Sequence, residues 1–198
     1  MFGVILERAL PPGHRAPIGE AVEPGEDLCR ACGLCCDGTL FDMVKLEASD
    51  DARKLKALGL PITVSRGKTA VARFPQPCAA LCDDRSCRLY VHRPWQCRVF
   101  ECRVFKDAKA GRITFAAALR LVKQARRRAD KVRRLLRELG DTEEHRALGE
   151  RFHRMSDRLE FGNADSTANA KFADLSLVVH HLKLQAVNRF YTKTEAHD

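Results

Sequence analysis

Four cysteines fall within eight residues, Cys29-Arg-Ala-Cys32-Gly-Leu-Cys35-Cys36, and five more follow at Cys78, Cys82, Cys87, Cys97 and Cys102. Thiolates are strong ligands for soft and borderline metals, and C-x2-C spacing lets two sulfurs grip one ion. Two such groups, about forty residues apart, predict a chain that folds around metal. Nine is an odd number of cysteines, so they cannot all pair within one chain. There is no apolar run of the roughly 18 residues that a membrane span needs. The apolar start, Met1 to Glu7, is short for a signal-peptide core and lacks a basic leader. The expected location is therefore the cytoplasm, where stable structural disulfides are rare.

The rest of the chain divides by pattern. Residues 1–27, with Pro11-Pro12-Gly13, Pro17 and Pro24-Gly25, read as an extended lead-in to the first cysteines. Residues 28–110 read as a cysteine-rich metal-binding domain. Thr39 to Leu46 alternates like a strand. Ser49-Asp50-Asp51 is suited to cap a short helix that Gly59 would end. Ile62–Ser65 and Thr69–Phe74 are β-prone runs on either side of Arg66-Gly67-Lys68, a hairpin signal. Pro75 and Pro77 then stop the second strand just before Cys78.

From residue 111 the periodicity becomes helical. Phe115, Val122, Ala129 and Leu136 recur every seven residues, and Ala118, Ala125, Val132 and Leu139 do so three residues later. Asp141-Thr-Glu-Glu144 has the form of a capping box for a second helix, striped by His145, Leu148, Phe152, Met155 and Leu159. Gly162-Asn163 breaks it, and a third helix is expected from about Ser166 to Phe190. The fold class is α+β: a small cysteine-rich domain with a short sheet or hairpin, followed by a three-helix antiparallel bundle over 111–198.

The cysteine segments resemble a known family. The run Cys29-x2-Cys32-x2-Cys35-Cys36 matches the opening motif of the cysteine-cluster (CxxCxxCC) proteins, described as a zinc- or iron-chelating domain. Cys87-Arg-Leu-Tyr90-Val-His-Arg93-Pro94-Trp-Gln-Cys97-Arg98-Val-Phe100 matches their second motif. The resemblance implies metal ligation by Cys29, Cys32, Cys35, Cys36, Cys78, Cys87 and Cys97, with Cys82 and Cys102 as extras. Ala79 and Ala80 replace the family's usual Pro and Phe. Related clusters occur in flagellin lysine methylases, which keeps open an iron–sulfur redox or protein-modifying enzyme. The chain itself has no Gly-rich strand-to-helix loop for a nucleotide or S-adenosylmethionine.

Ligand arithmetic constrains the centre separately. Seven cysteines exceed one tetrahedral zinc site and fall one short of two. Cys82 could supply an eighth sulfur, a thiolate could bridge two ions, or one site could stay open or use His92. Adjacent Cys35 and Cys36 point in different directions, which favours two metals or a bridged pair. The spacing of Cys29, Cys32 and Cys35 also repeats the opening of a ferredoxin run, so an iron–sulfur cluster is the rival to zinc ions.

The net charge of +9 suggests an acidic partner only weakly. Arg85, Arg88, Arg93, Arg98 and Arg103 can offset the charge of about −2 on a four-thiolate zinc. Residues 113–139 carry Arg120, Lys123, Arg126, Arg127, Arg128, Lys131, Arg133, Arg134 and Arg137. They read first as the solvated face of an amphipathic helix and second as a nucleic-acid surface. An unidentified protein partner fits a structural or accessory role. His180 and His181 are neighbours on one helix and face apart, so they make a poor metal pair. No catalytic constellation is legible.

Overall fold

The computed structural model describes residues 24–65, 70–162 and 165–192. Most of the expected lead-in lies outside them, as does the hairpin turn expected at Arg66-Gly67-Lys68. Pro24 and Gly25, read from sequence as part of that lead-in, instead open helix α1 (Pro24–Cys32). Proline suits a first helical turn, where its missing N–H is not needed. Gly33 ends α1 at φ +67°, with its N–H donating to the Cys29 carbonyl at 2.9 Å.

Three short strands, β1 (Met43–Lys45), β2 (Thr63–Val64) and β3 (Ala72–Pro75), form an antiparallel sheet in the order β1-β3-β2. Val44 lies opposite Phe74 in the ladder, and both are buried. The hairpin read from the two β-prone runs is present as the β2–β3 pair, Thr63 opposite Arg73. Between β1 and β2, helix α2 (Ala52–Ala57) starts at Asp51, whose carboxylate accepts the Lys54 N–H at 2.9 Å. Leu55 and Leu60 pack with Val44, Phe74, Ala80 and Leu89 into a core under the sheet.

Two short helices, α3 (Trp95–Val99) and α4 (Arg103–Lys109), lead into the long helices. These are α5 (Phe115–Glu138), α6 (Leu148–Phe161) and α7 (Ser166–Gln185), the last continuing into a π-helical turn at Ala186–Phe190. The heptad stripe of α5 is the buried one: Ala118, Val122, Ala125, Ala129, Val132 and Leu136 all face inward. Helices α5 and α7 run antiparallel. Glu138, at the end of α5, pairs with Lys171 near the start of α7 at 3.6 Å. Gln185, at the end of α7, donates to the Leu121 carbonyl at 3.2 Å. Phe152 of α6 stacks on Phe172 of α7, with ring centroids 5.8 Å apart. Leu28, Leu34, Leu40 and Val104 join this helical core, so the first cysteine segment and α4 share it with α5 and α7.

A second local reading is corrected. Asp141 does not cap α6, which starts seven residues later at Leu148. Its carboxylate is buried against Arg151, with Nε at 2.8 Å and Nη2 at 2.6 Å from Oδ2. The same motif that would cap a helix here feeds an ion pair inside the fold, because burying Arg151 requires a counter-charge.

Candidate metal centre

The first cysteine segment is shaped by one helix and two glycines. Cys29 and Cys32 are three residues apart on α1, so they share a helix face. The Gly33 turn then folds the chain back, and its carbonyl accepts both the Cys36 and Asp37 N–H groups at 3.0 Å. A side chain at Gly33 would strain the positive φ and meet the Arg85 stem at 3.1 Å. Gly38, at φ +75°, lies under the start of α6: its carbonyl accepts the Leu148 N–H at 2.8 Å, and an added Cβ would sit 3.0 Å from the Ala147 Cα.

The second segment reaches the first through the backbone. Cys78, just past β3, donates its N–H to the Cys36 carbonyl at 2.7 Å. The chain then makes a tight loop: Cys82 N–H donates to the Ser86 carbonyl at 2.9 Å, and Leu81 bridges Cys87. Cys97 lies on α3, which is held by the Gln96 carboxamide on Lys45 N–H of β1 and by the Asp50 carboxylate on Trp95 N–H. Cys78, Cys87 and Cys97 all pack against the core under the sheet.

Electrostatic proximity sorts the sulfurs. Burial pushes the Cys32 thiol up to about 12, a nearby N–H from Leu34 opposes this, and charge on Cys102 and Cys29 pushes it further up. Burial also raises Cys35 well above the usual thiol range, reinforced by Cys32, Cys36, Cys102 and Cys29. Cys36 is raised by burial and then by Cys78, Cys97 and Cys87. Burial lifts Cys97 to about 12, with Cys78 and Cys87 adding to it and Arg93 opposing. Cys78 and Cys87 are raised chiefly by burial, while Arg88 acts to lower both and Arg93 to lower Cys87. Cys36 therefore looks toward the second segment, although its neighbour Cys35 looks toward the first.

Cys102, read from sequence as an extra, stands with Cys29, Cys32 and Cys35. It sits at the start of α4, where the Phe105 N–H approaches its Sγ at 3.4 Å. The Ala80 N–H approaches the Cys78 Sγ at 3.5 Å in the same manner. Such donors favour sulfur in its charged, metal-binding form. The separation of Cys102 from Cys35 in sequence gave no signal of this meeting. Cys82, the eighth sulfur considered from the arithmetic, is a neighbour of Cys87. No disulfide links the nine cysteines. His92 is exposed, and the His180 and His181 rings lie 6.1 Å apart with tilted planes.

The donor chemistry fits a metal. Sulfurs that burial and mutual repulsion hold back from ionising gain from a cation among them. As they stand, no three or more His, Cys, Asp or Glu side chains among the described residues converge closely enough to hold an ion.

The arginines mostly brace these loops. Arg85 Nε donates to the Arg30 carbonyl at 3.3 Å, and Arg88 Nη2 to the Ala79 carbonyl at 3.2 Å. Arg93 lies 3.8 Å over the Tyr90 ring and donates to the Tyr90 carbonyl. From the basic helix, Arg126 donates to the Ala31 carbonyl at 3.2 Å. Arg133 binds the Thr39 hydroxyl and the Asp37 carboxylate, each at 2.9 Å. These contacts lie within the cluster of four cysteines, at Ala31, and just after it, at Asp37 and Thr39. Replacing Arg133 by alanine should lower stability by about 1.5–3 kcal/mol, the range for partly buried charge-assisted bonds. Lysine should restore only part of it, because it lacks the planar fork. Chemical denaturation of the three proteins checks this, and an alanine variant as stable as the parent would rule it out.

The model of the CxxCxxCC family, described as "Putative zinc- or iron-chelating domain", matches residues 28–118, just under half of the chain. Comparison with curated proteins and with solved structures finds no match. The matched span begins one residue before Cys29, ends within α5 and takes in all nine cysteines. Over residues 28–118 the chain is similar to the CxxCxxCC family.

Proposed function

We propose that this chain is a structural or accessory metal-binding protein. In this reading Cys29, Cys32, Cys35, Cys36, Cys78, Cys87 and Cys97 bind zinc through a multi-thiolate centre, in a reducing cytoplasm. The observation that carries the reading is the meeting of two cysteine segments distant in sequence. The Cys78 N–H lies 2.7 Å from the Cys36 carbonyl, and buried sulfurs gather on both sides of that bond. A core held together in this way gains its final rigidity from the metal, as small metal domains do. No helix among the described residues is long and apolar enough to cross a membrane. The basic face of α5 turns Arg126 and Arg133 inward onto the cysteine loop, which weakens the nucleic-acid reading.

Metal analysis and an absorption spectrum of protein purified without oxygen test this. More than one zinc per chain and no visible band is the expected result. A broad visible band that dithionite bleaches would replace zinc with an iron–sulfur cluster. Folded protein that takes up neither metal would overturn the proposal.

A further inference from the structure

We propose that the cysteines form two separate four-sulfur metal sites. One is Cys29, Cys32, Cys35 and Cys102; the other is Cys36, Cys78, Cys87 and Cys97. Cys82 belongs to neither. This deepens the metal-binding reading above and rests on it.

The placement of the chain separates the two sets. Helix α1 presents Cys29 and Cys32 on one face, and the Gly33 turn brings Cys35 back toward them. Helix α4 packs against α1 and α5, and its first turn carries Cys102 to the same place. Cys32, Cys35 and Cys102 all belong to the core formed with α5 and α7. Cys78, Cys87 and Cys97 border the other core, under the sheet. Cys36 is tied to this second group by the Cys78 N–H on its carbonyl. The division between the two sets falls between the adjacent Cys35 and Cys36.

Ligand number supports the same division. Seven sulfurs left one site incomplete or required a bridge. Cys102 makes eight, which is two complete tetrahedral sets with no bridging thiolate. One set contains a backbone N–H aimed at Cys102 sulfur and the other contains one aimed at Cys78 sulfur. Of the two cysteines outside the family-implied seven, only Cys102 lies in the core that holds Cys32 and Cys35. Cys82 instead lies in the loop between Leu81 and Cys87, its N–H on the Ser86 carbonyl, beside a set that already has four members.

Zinc content of four proteins, each reconstituted without oxygen and freed of excess zinc, tests the division. The parent should hold two zinc ions. Cys102→Ser and Cys97→Ser should each hold one, and Cys82→Ser should hold two. A Cys102→Ser protein that keeps two, or a Cys82→Ser protein that keeps one, would overturn it. A parent that binds no zinc would instead remove the metal-binding reading on which the division rests. If Cys102→Ser does not fold, cobalt titration of the parent decides. Two equivalents, each with the intense sulfur-to-cobalt band of a tetrahedral thiolate site, support two sites. Saturation at one equivalent, or the magnetic coupling of a thiolate-bridged pair, rejects them.

Discussion

Replacing Cys97 by serine should remove one of the two metal ions from the chain and lower its melting temperature by about 8–16 °C. The magnitude follows from linkage. An ion present at a thousand times its dissociation constant stabilises the folded state by about 4 kcal/mol. In a chain of 150–250 residues each kcal/mol shifts the midpoint by about 2–4 °C. Cys97 is a stringent position because α3 is so short, Trp95–Val99, and is tied by two side-chain bonds, Gln96 to Lys45 N–H on β1 and Asp50, in the turn before α2, to Trp95 N–H. Serine preserves those bonds and the backbone, so the loss reports the sulfur and not the helix. Cys32→Ser should behave alike from the other segment, since Cys32 is buried at the end of α1. Melting curves with and without a chelator are the measurement. Chelator should lower the melting point of the parent by more than that of either variant, because the variants have only one ion left to lose. Variants that keep both the metal and the melting point of the parent would remove Cys32 and Cys97 from the ligand set.

Much of the fold was legible because it is local. The α5 stripe repeats along one helix, so its periodicity can be read without knowing what covers it; six of its eight positions are buried, Phe115 is exposed, and Leu135 outside the stripe is buried too. Asp51 and Gly59 likewise bound α2 through bonds a few residues long. The β1–β3 pairing was not legible, because Val44 meets Phe74 only after α2 and β2 have intervened, and nothing in either strand states that register. The same limit applies to the sulfurs. The motif spacing marks Cys29 to Cys36 as one unit, yet the chain divides that unit between Cys35 and Cys36. Cys102 meets α1 only because Val104 and Phe105 draw α4 into the helical core. The sequence offers Cys82 as the eighth sulfur; packing favours Cys102.

Asp141 shows how a correct local pattern can be overridden, and it carries the second large effect. Asp141→Ala should destabilise the protein by about 3–5 kcal/mol, the cost of leaving a buried charge without its partner. Both side chains of the Asp141–Arg151 pair are almost wholly buried, at 5% and 4% exposure, so solvent cannot replace the missing carboxylate. Asp141 Oδ1 also accepts the Glu143 N–H at 3.2 Å, so the variant loses part of the turn between α5 and α6 as well. The surrounding ion pairs, Arg146 and Arg154 on Glu143, lie at the surface and contribute little by comparison. Asp141→Asn should fall between the parent and alanine, keeping the shape but not the charge. The combined Asp141→Leu/Arg151→Met protein should recover much of the loss, because an apolar pair removes the desolvation cost instead of leaving half of it. Urea unfolding of the zinc-loaded proteins measures all four. Metal content should stay at the parent level throughout, since neither Asp141 nor Arg151 belongs to the proposed ligand sets. A double variant no more stable than Asp141→Ala would show that the site demands the charge pair itself. An alanine variant within about 1 kcal/mol of the parent, the range of exposed pairs, would show that water reaches Arg151 despite its burial.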